Sequence, residues 1–122
     1  MKVKSLDHIQ LAMPQSREAE ARAFYAGLLG LPEVPKPPNL APRGGCWFER
    51  GTLKVHLGID NEFVPARKAH PAFIVEGLPA LMRALREAGY HLVDDDPLEG
   101  YERIFVDDPF GNRIELVEAR PH

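Results

Sequence analysis

Apolar and polar residues alternate from Leu6 to Met13, with Ile9, Leu11 and Met13 on one side and Leu6, His8, Gln10 and Ala12 on the other. A period of two is that of a strand with one face against a hydrophobic layer. The period then changes. Ala21, Phe24, Tyr25, Leu28 and Leu29 recur at the spacing of one helical face, with Ser16 as the expected N-cap and Gly30 as the residue that ends the helix. Residues 32 to 42 carry five prolines, whose fixed φ and missing amide donors forbid a central strand or helix. A stiff extended loop, or a broken edge strand, is expected there. Cys46 to Glu49 and Leu53 to Ile59 follow as a hairpin closed at Arg50-Gly51, which would pair Trp47 with Lys54.

After a polar linker at about 61 to 69 the order recurs. His70 to Val75 predicts a strand. Leu78 to Ala88 predicts a helix with Pro79 in its first turn and Gly89 at its end. Tyr90 to Val93, Arg103 to Val106 and Arg113 to Val117 read as three further strands, with a Pro-Phe-Gly-Asn turn at 109 to 112. The fold class is therefore α+β, with two βαβββ modules in tandem, 1–62 and 69–122, inside one domain that spans residues 1–122.

The repeat aligns residues that bind metals. His8 and His70 open the two copies, 62 positions apart, and His56 and Glu115 sit in their last strands, 59 apart. Strand parity sets Trp47, Lys54 and His56 on one face of the first module. It sets Arg103, Phe105, Arg113, Glu115 and Val117 on one face of the second. A lone strand histidine is commonly hydrogen-bonded or exposed, and a lone glutamate on a sheet face is commonly solvated. Four such side chains at matched repeat positions point instead to a metal site. Imidazole nitrogen and carboxylate oxygen suit divalent zinc, nickel, manganese or iron, and two His with one carboxylate leave positions open for a substrate. His91 and His122 have no matched position and read as surface.

Composition narrows the function classes. Apolar residues at 44% and charged residues at 27% are those of an ordinary globular domain. A net charge of −3 gives no reason to expect nucleic acid or an anionic membrane as partner. No apolar run approaches the length of a membrane span, and no signal peptide is evident, so a cytoplasmic protein is expected. The single cysteine, Cys46, excludes an internal disulfide framework.

The chain resembles the vicinal oxygen chelate superfamily, which includes glyoxalase I, extradiol dioxygenases, fosfomycin resistance transferases and bleomycin resistance proteins. The likeness lies in Leu6-Asp7-His8-Ile9-Gln10-Leu11-Ala12, Phe24-Tyr25 with Leu28-Leu29-Gly30-Leu31, Ala69-His70-Pro71-Ala72-Phe73 and Asp108-Pro109-Phe110-Gly111-Asn112-Arg113-Ile114-Glu115. It implies paired βαβββ modules around a U-shaped mixed sheet, with helices on the outer face. It places His8, His70 and Glu115 at the metal triad, and His56 where glyoxalase I has Glu or Gln as a fourth ligand. Ala12 replaces the arginine that glyoxalase I uses for glutathione, and Phe105 replaces a tyrosine of the fosfomycin transferases. Both departures argue against those two activities.

The resemblance implies a metal-dependent lyase, isomerase or dioxygenase that grips a small oxygenated substrate through two adjacent oxygens. His8, His70 and Glu115 would be ligands, and His56 a fourth ligand or a displaceable base. Gln10, Trp47, Lys54, Arg103 and Phe105 would line the substrate trough, and a homodimer would share ligands between chains. Two alternatives stand beside it. One is metal-free ligand sequestration of the bleomycin-resistance type. The other is a closed, purely structural site of three His and one Glu.

Overall fold

In a computed structural model that describes residues 1–121, β1 (Ile9–Met13) runs parallel to β4 (Leu53–Ile59), with Gln10 opposite His56. A parallel pair needs a crossover, and a helix supplies it. The sheet is completed by β3 (Cys46–Arg50) and β2 (Glu33–Val34), in the order β1-β4-β3-β2. His122 lies outside the described residues. The chain divides into two compact units, Met1–Val64 and Pro65–His122.

Helix α1 (Glu18–Ala21) continues without a break into π-helical turns over Arg22–Leu28, closed by a Leu29 amide bonded to the Phe24 carbonyl at 2.9 Å. Phe24 and Tyr25 of this stretch are both fully buried, edge to face with ring centroids 4.9 Å apart. Ser16 does not cap this helix. Its φ of 66° places it in a left-handed turn, and Arg17 occupies the cap position with no side-chain cap bond. Gly30 ends the helix at φ 75°, as the sequence predicts. The proline-rich segment contributes only the two-residue edge strand β2 and a 3₁₀ turn at Ala41–Arg43.

The hairpin differs from its predicted register. Arg50 pairs with Leu53, so the loop is Gly51-Thr52, with Gly51 at φ 58°. The shift moves each partner by two residues and leaves every side chain on its predicted face. Trp47 therefore lies opposite His56, and Glu49 opposite Lys54. Leu11, Met13, Phe48, Val55 and Leu57 take the other face and are buried, and Phe48 stacks on Tyr25 of the helix at 5.5 Å.

The second unit repeats this topology. It consists of β5 (Ala72–Ile74), α2 (Leu78–Glu87), β6 (Leu92–Val93), β7 (Tyr101–Asp107) and β8 (Arg113–Ala119), in the order β5-β8-β7-β6. β5 is parallel to β8, with Ala72 opposite Glu115. Ile104, Val106, Ile114 and Leu116 share the buried face with Leu78 and Leu85 of α2. Phe105 and Val117, on the face predicted to be polar, are buried as well. The strands that open the modules begin three and two residues later than alternation implies, so His8 and His70 precede β1 and β5. His91 is exposed. Among the described residues no helix is long and apolar enough to cross a membrane.

Two interactions brace the second unit. The turn before β8 is tied by the buried Asp108, whose carboxylate accepts the Phe110 and Asn112 amides at 2.9 Å. The Asn112 side-chain oxygen accepts the Ala66 amide at 2.9 Å. Helix α2 has a glycine, Gly77, at its N-cap, and Glu118 of β8 supplies the missing acceptor. Its two oxygens take the Gly77 and Leu78 amides at 2.7 and 3.0 Å. Glu118→Ala is expected to cost about 1–2 kcal/mol, read as a lower denaturant midpoint at unchanged m-value.

Candidate functional site

The candidate ligands fall into two pairs, one in each unit. In the second unit β8 carries Glu115, only 8% exposed, and the turn before β5 carries His70. The imidazole Nε2 stands 3.0 Å from Glu115 Oε1. Its Nδ1 stands 2.9 Å from the Lys68 carbonyl oxygen, which can only accept, so Nδ1 carries the proton. Nε2 then turns its lone pair on a carboxylate oxygen. Two acceptors at that distance need a cation between them, either a second ring proton or a metal ion. Imidazole nitrogen and carboxylate oxygen are both donors that divalent transition-metal ions take. This donor pair therefore fits a divalent ion, and the Lys68 carbonyl is the outer contact that orients a ligating histidine.

Charges gather around the pair. Arg103 Nη1 reaches Glu115 Oε2 at 3.4 Å while its other nitrogens donate to the Asp96 carbonyl at 2.6 and 3.2 Å. Arg113 lays its guanidinium over the Phe105 ring at 3.9 Å, and His70 meets the same ring edge-on at 5.4 Å. Phe105 thus carries both groups on one ring.

The first unit is arranged differently. His56, 5% exposed, is sandwiched: Trp47 stacks on one side at 3.9 Å and 3°, and His8 stacks at 4.5 Å and 22°. His56 Nε2 is 2.8 Å from Glu49 Oε2, leaving Nδ1 as its open ring atom. His8 Nδ1 is 2.9 Å from Asp7 Oδ2, leaving Nε2 open. That hydrogen bond, with the nearby Lys54 charge, holds the Asp7 carboxyl below its usual range. Within each unit, among the described residues, no three His, Cys, Asp or Glu side chains converge on one point.

Gln10 and Trp47 also line a cavity of about 220 Å³ in the first unit. Lys54 lies elsewhere, 3.7 Å from Asp7. The sequence reading missed Asp7, Glu49 and the Lys68 carbonyl. Glu49 was readable from strand parity, which puts it on the face of Trp47, Lys54 and His56 in either hairpin register. Cys46 is no nucleophile here: burial pushes its thiol up to about 11. With the folded value above the unfolded one, this group stabilises the fold below about pH 9 and less so as pH rises through 11. Cys46→Ala should therefore flatten the fall in Tm between pH 9 and 11.

Residues 10–117 match the family profile described as a glyoxalase-like domain. Among solved structures the chain is similar to a glyoxalase family protein from Bacillus anthracis, at 42% identity and TM-score 0.91 over 98% of both chains. It shares its fold with a glyoxalase/dioxygenase from Nostoc punctiforme, at 20% identity and TM-score 0.77 over 98% of this chain and 100% of that one. A genomically encoded fosfomycin resistance protein from Listeria monocytogenes has the same fold at 15% identity and TM-score 0.74, over 99% and 95%. No curated protein matches significantly.

Proposed function

We propose, for a chain that belongs to the glyoxalase-like domain family of the vicinal oxygen chelate superfamily, a metal-dependent enzyme acting on a small oxygenated substrate. The reaction class is lyase, isomerase or dioxygenase. Members of the superfamily commonly use divalent metals, and one observation carries the reading to this chain: His70 Nε2 and Glu115 Oε1 stand 3.0 Å apart with Nδ1 already committed to a carbonyl. His8, through Nε2, is the third proposed ligand. Zinc, nickel, manganese and iron all suit this donor set. When bound, such an ion supplies Lewis acidity that grips two adjacent substrate oxygens and stabilises negative charge as it develops.

The residues around it have separate tasks. Arg103 and Lys68 hold Glu115 and His70 in place. His56 is the proposed base, or a fourth ligand: a proton taken at Nδ1 would leave an imidazolium whose Nε2–H is held by Glu49, the arrangement that stabilises a protonated catalytic histidine. Trp47 and Phe105 keep one aromatic surface in each unit beside the buried His56 and Glu115. Assembly as a homodimer, with both modules contributing ligands, is part of the same proposal.

The stack of His8, His56 and Trp47 favours one competing reading. Rings committed to each other and to carboxylates are also what a metal-free, ligand-sequestering relative would carry.

Metal content decides between them. Plasma mass spectrometry of untagged protein should find about one equivalent of transition metal per chain, lost in the His70→Ala, Glu115→Ala double variant. Absence of stoichiometric metal after divalent ions are added back would replace the enzyme reading with ligand sequestration.

A further inference from the structure

The proline-rich segment has no role in the metal-dependent reading, yet its path is held by prolines and by its own turn hydrogen bonds. Pro35, Pro37, Pro38 and Pro42 fix its path. Four backbone bonds close its turns: Leu40 and Ala41 to the Pro37 carbonyl at 2.8 and 3.0 Å, Arg43 to Leu40 at 3.0 Å, and Gly44 to Ala41 at 3.1 Å. Lys36 is tied across the loop to the Gly44 carbonyl. A loop this stiff loses little entropy when something binds against it.

Lys36 and Arg43 project from this segment onto the cavity already described, opposite Gln10, Trp47 and Ile59. The lining holds two cations and no carboxylate, in a chain whose net charge is −3. Local positive charge therefore runs against the charge of the whole protein. Among the described residues no salt bridge ties the Arg43 guanidinium to a carboxylate, and Glu18, behind the loop, accepts the Gly45 amide at 3.4 Å. The floor is cleared by Gly58, where a Cβ would come within 2.6 Å of the Gln10 amide nitrogen. Gln10 can keep its place in the lining because residue 58 has no side chain.

We infer that this cavity is an oxyanion subsite, in which Lys36 and Arg43 hold a carboxylate or phosphonate of a small substrate whose apolar part lies against Trp47. Arg43 offers the planar fork that matches either group, and Lys36 adds a point charge. The inference deepens the proposed function, because Gln10 and Trp47 belong to the sheet face that carries His56.

Trp47 is the chain's single tryptophan and serves as the reporter. Benzoate, phenylphosphonate and the neutral isostere benzamide would each be titrated into the protein while Trp47 emission is followed. One anion should bind saturably and at least about 10-fold more tightly than benzamide, and whichever anion binds better identifies the oxyanion class. Lys36→Gln and Arg43→Gln should each weaken that binding about 10-fold, the effect of one charge-assisted hydrogen bond. Circular dichroism of the variants should match the parent. Equal binding of benzamide, no saturable binding of either anion, or unchanged affinity in both variants would overturn the inference. Repeating the titration on chelator-treated protein separates the two readings. Anion binding that survives there stands even if no metal is found, and retained metal without anion binding removes only the subsite.

Discussion

In each unit the first strand lies parallel to the last, and parallel neighbours cannot be joined by a tight turn. The chain must leave the sheet, cross it through a helix and return by way of the other two strands. Each crossover buries one sheet face: Phe24 and Tyr25 meet Phe48 in the first unit, and Leu78 and Leu85 lie beside Ile114 and Leu116 in the second. The other face keeps the candidate site residues His56 and Glu115. With a side-chain period of two, the pairing of Gln10 with His56 and of Ala72 with Glu115 fixes which residues those are.

From that shared register the two units diverge chemically. The positions of Trp47 and Phe105, opposite His56 and Glu115 of the last strands, are both aromatic. Yet Trp47 stacks flat on an imidazole, whereas Phe105 carries a guanidinium on its face and an imidazole at its edge. The difference follows from the last-strand residue. A histidine offers a π-face to stack on. A glutamate offers charge, which attracts Arg103, and sets a carboxylate oxygen beside His70 Nε2. One backbone register thus supports a flat aromatic stack and a convergent ionic cluster.

Much of this was legible in the sequence because it depends on period and parity. The tandem βαβββ order, the helix-ending Gly30 and the faces of His56 and Glu115 all follow from spacing. What spacing does not carry is lateral position. A two-residue slip at Gly51-Thr52 changes the partner of Trp47 without changing its face, so the stack with His56 was not readable. Widening of the first helix over Arg22–Leu28 leaves no mark in the apolar pattern, because Phe24 and Tyr25 are adjacent in either geometry. The Lys68 carbonyl could not have been found, since a backbone atom has no sequence signature.

The Asp108–Asn112 turn has a further consequence for motion. Its bonds close on themselves and on residue 66: Ala66 donates to the Asn112 side chain, and the Ala66 carbonyl accepts the Arg113 amide at 2.8 Å. The amides of Phe110 and Asn112 are held by a carboxylate that is itself buried, so their release requires the loss of several contacts at once. Such amides open only with a whole cooperative unit, not by local fraying. In hydrogen–deuterium exchange this loop, which joins two strands and contains a glycine, would belong to the slow-exchanging core.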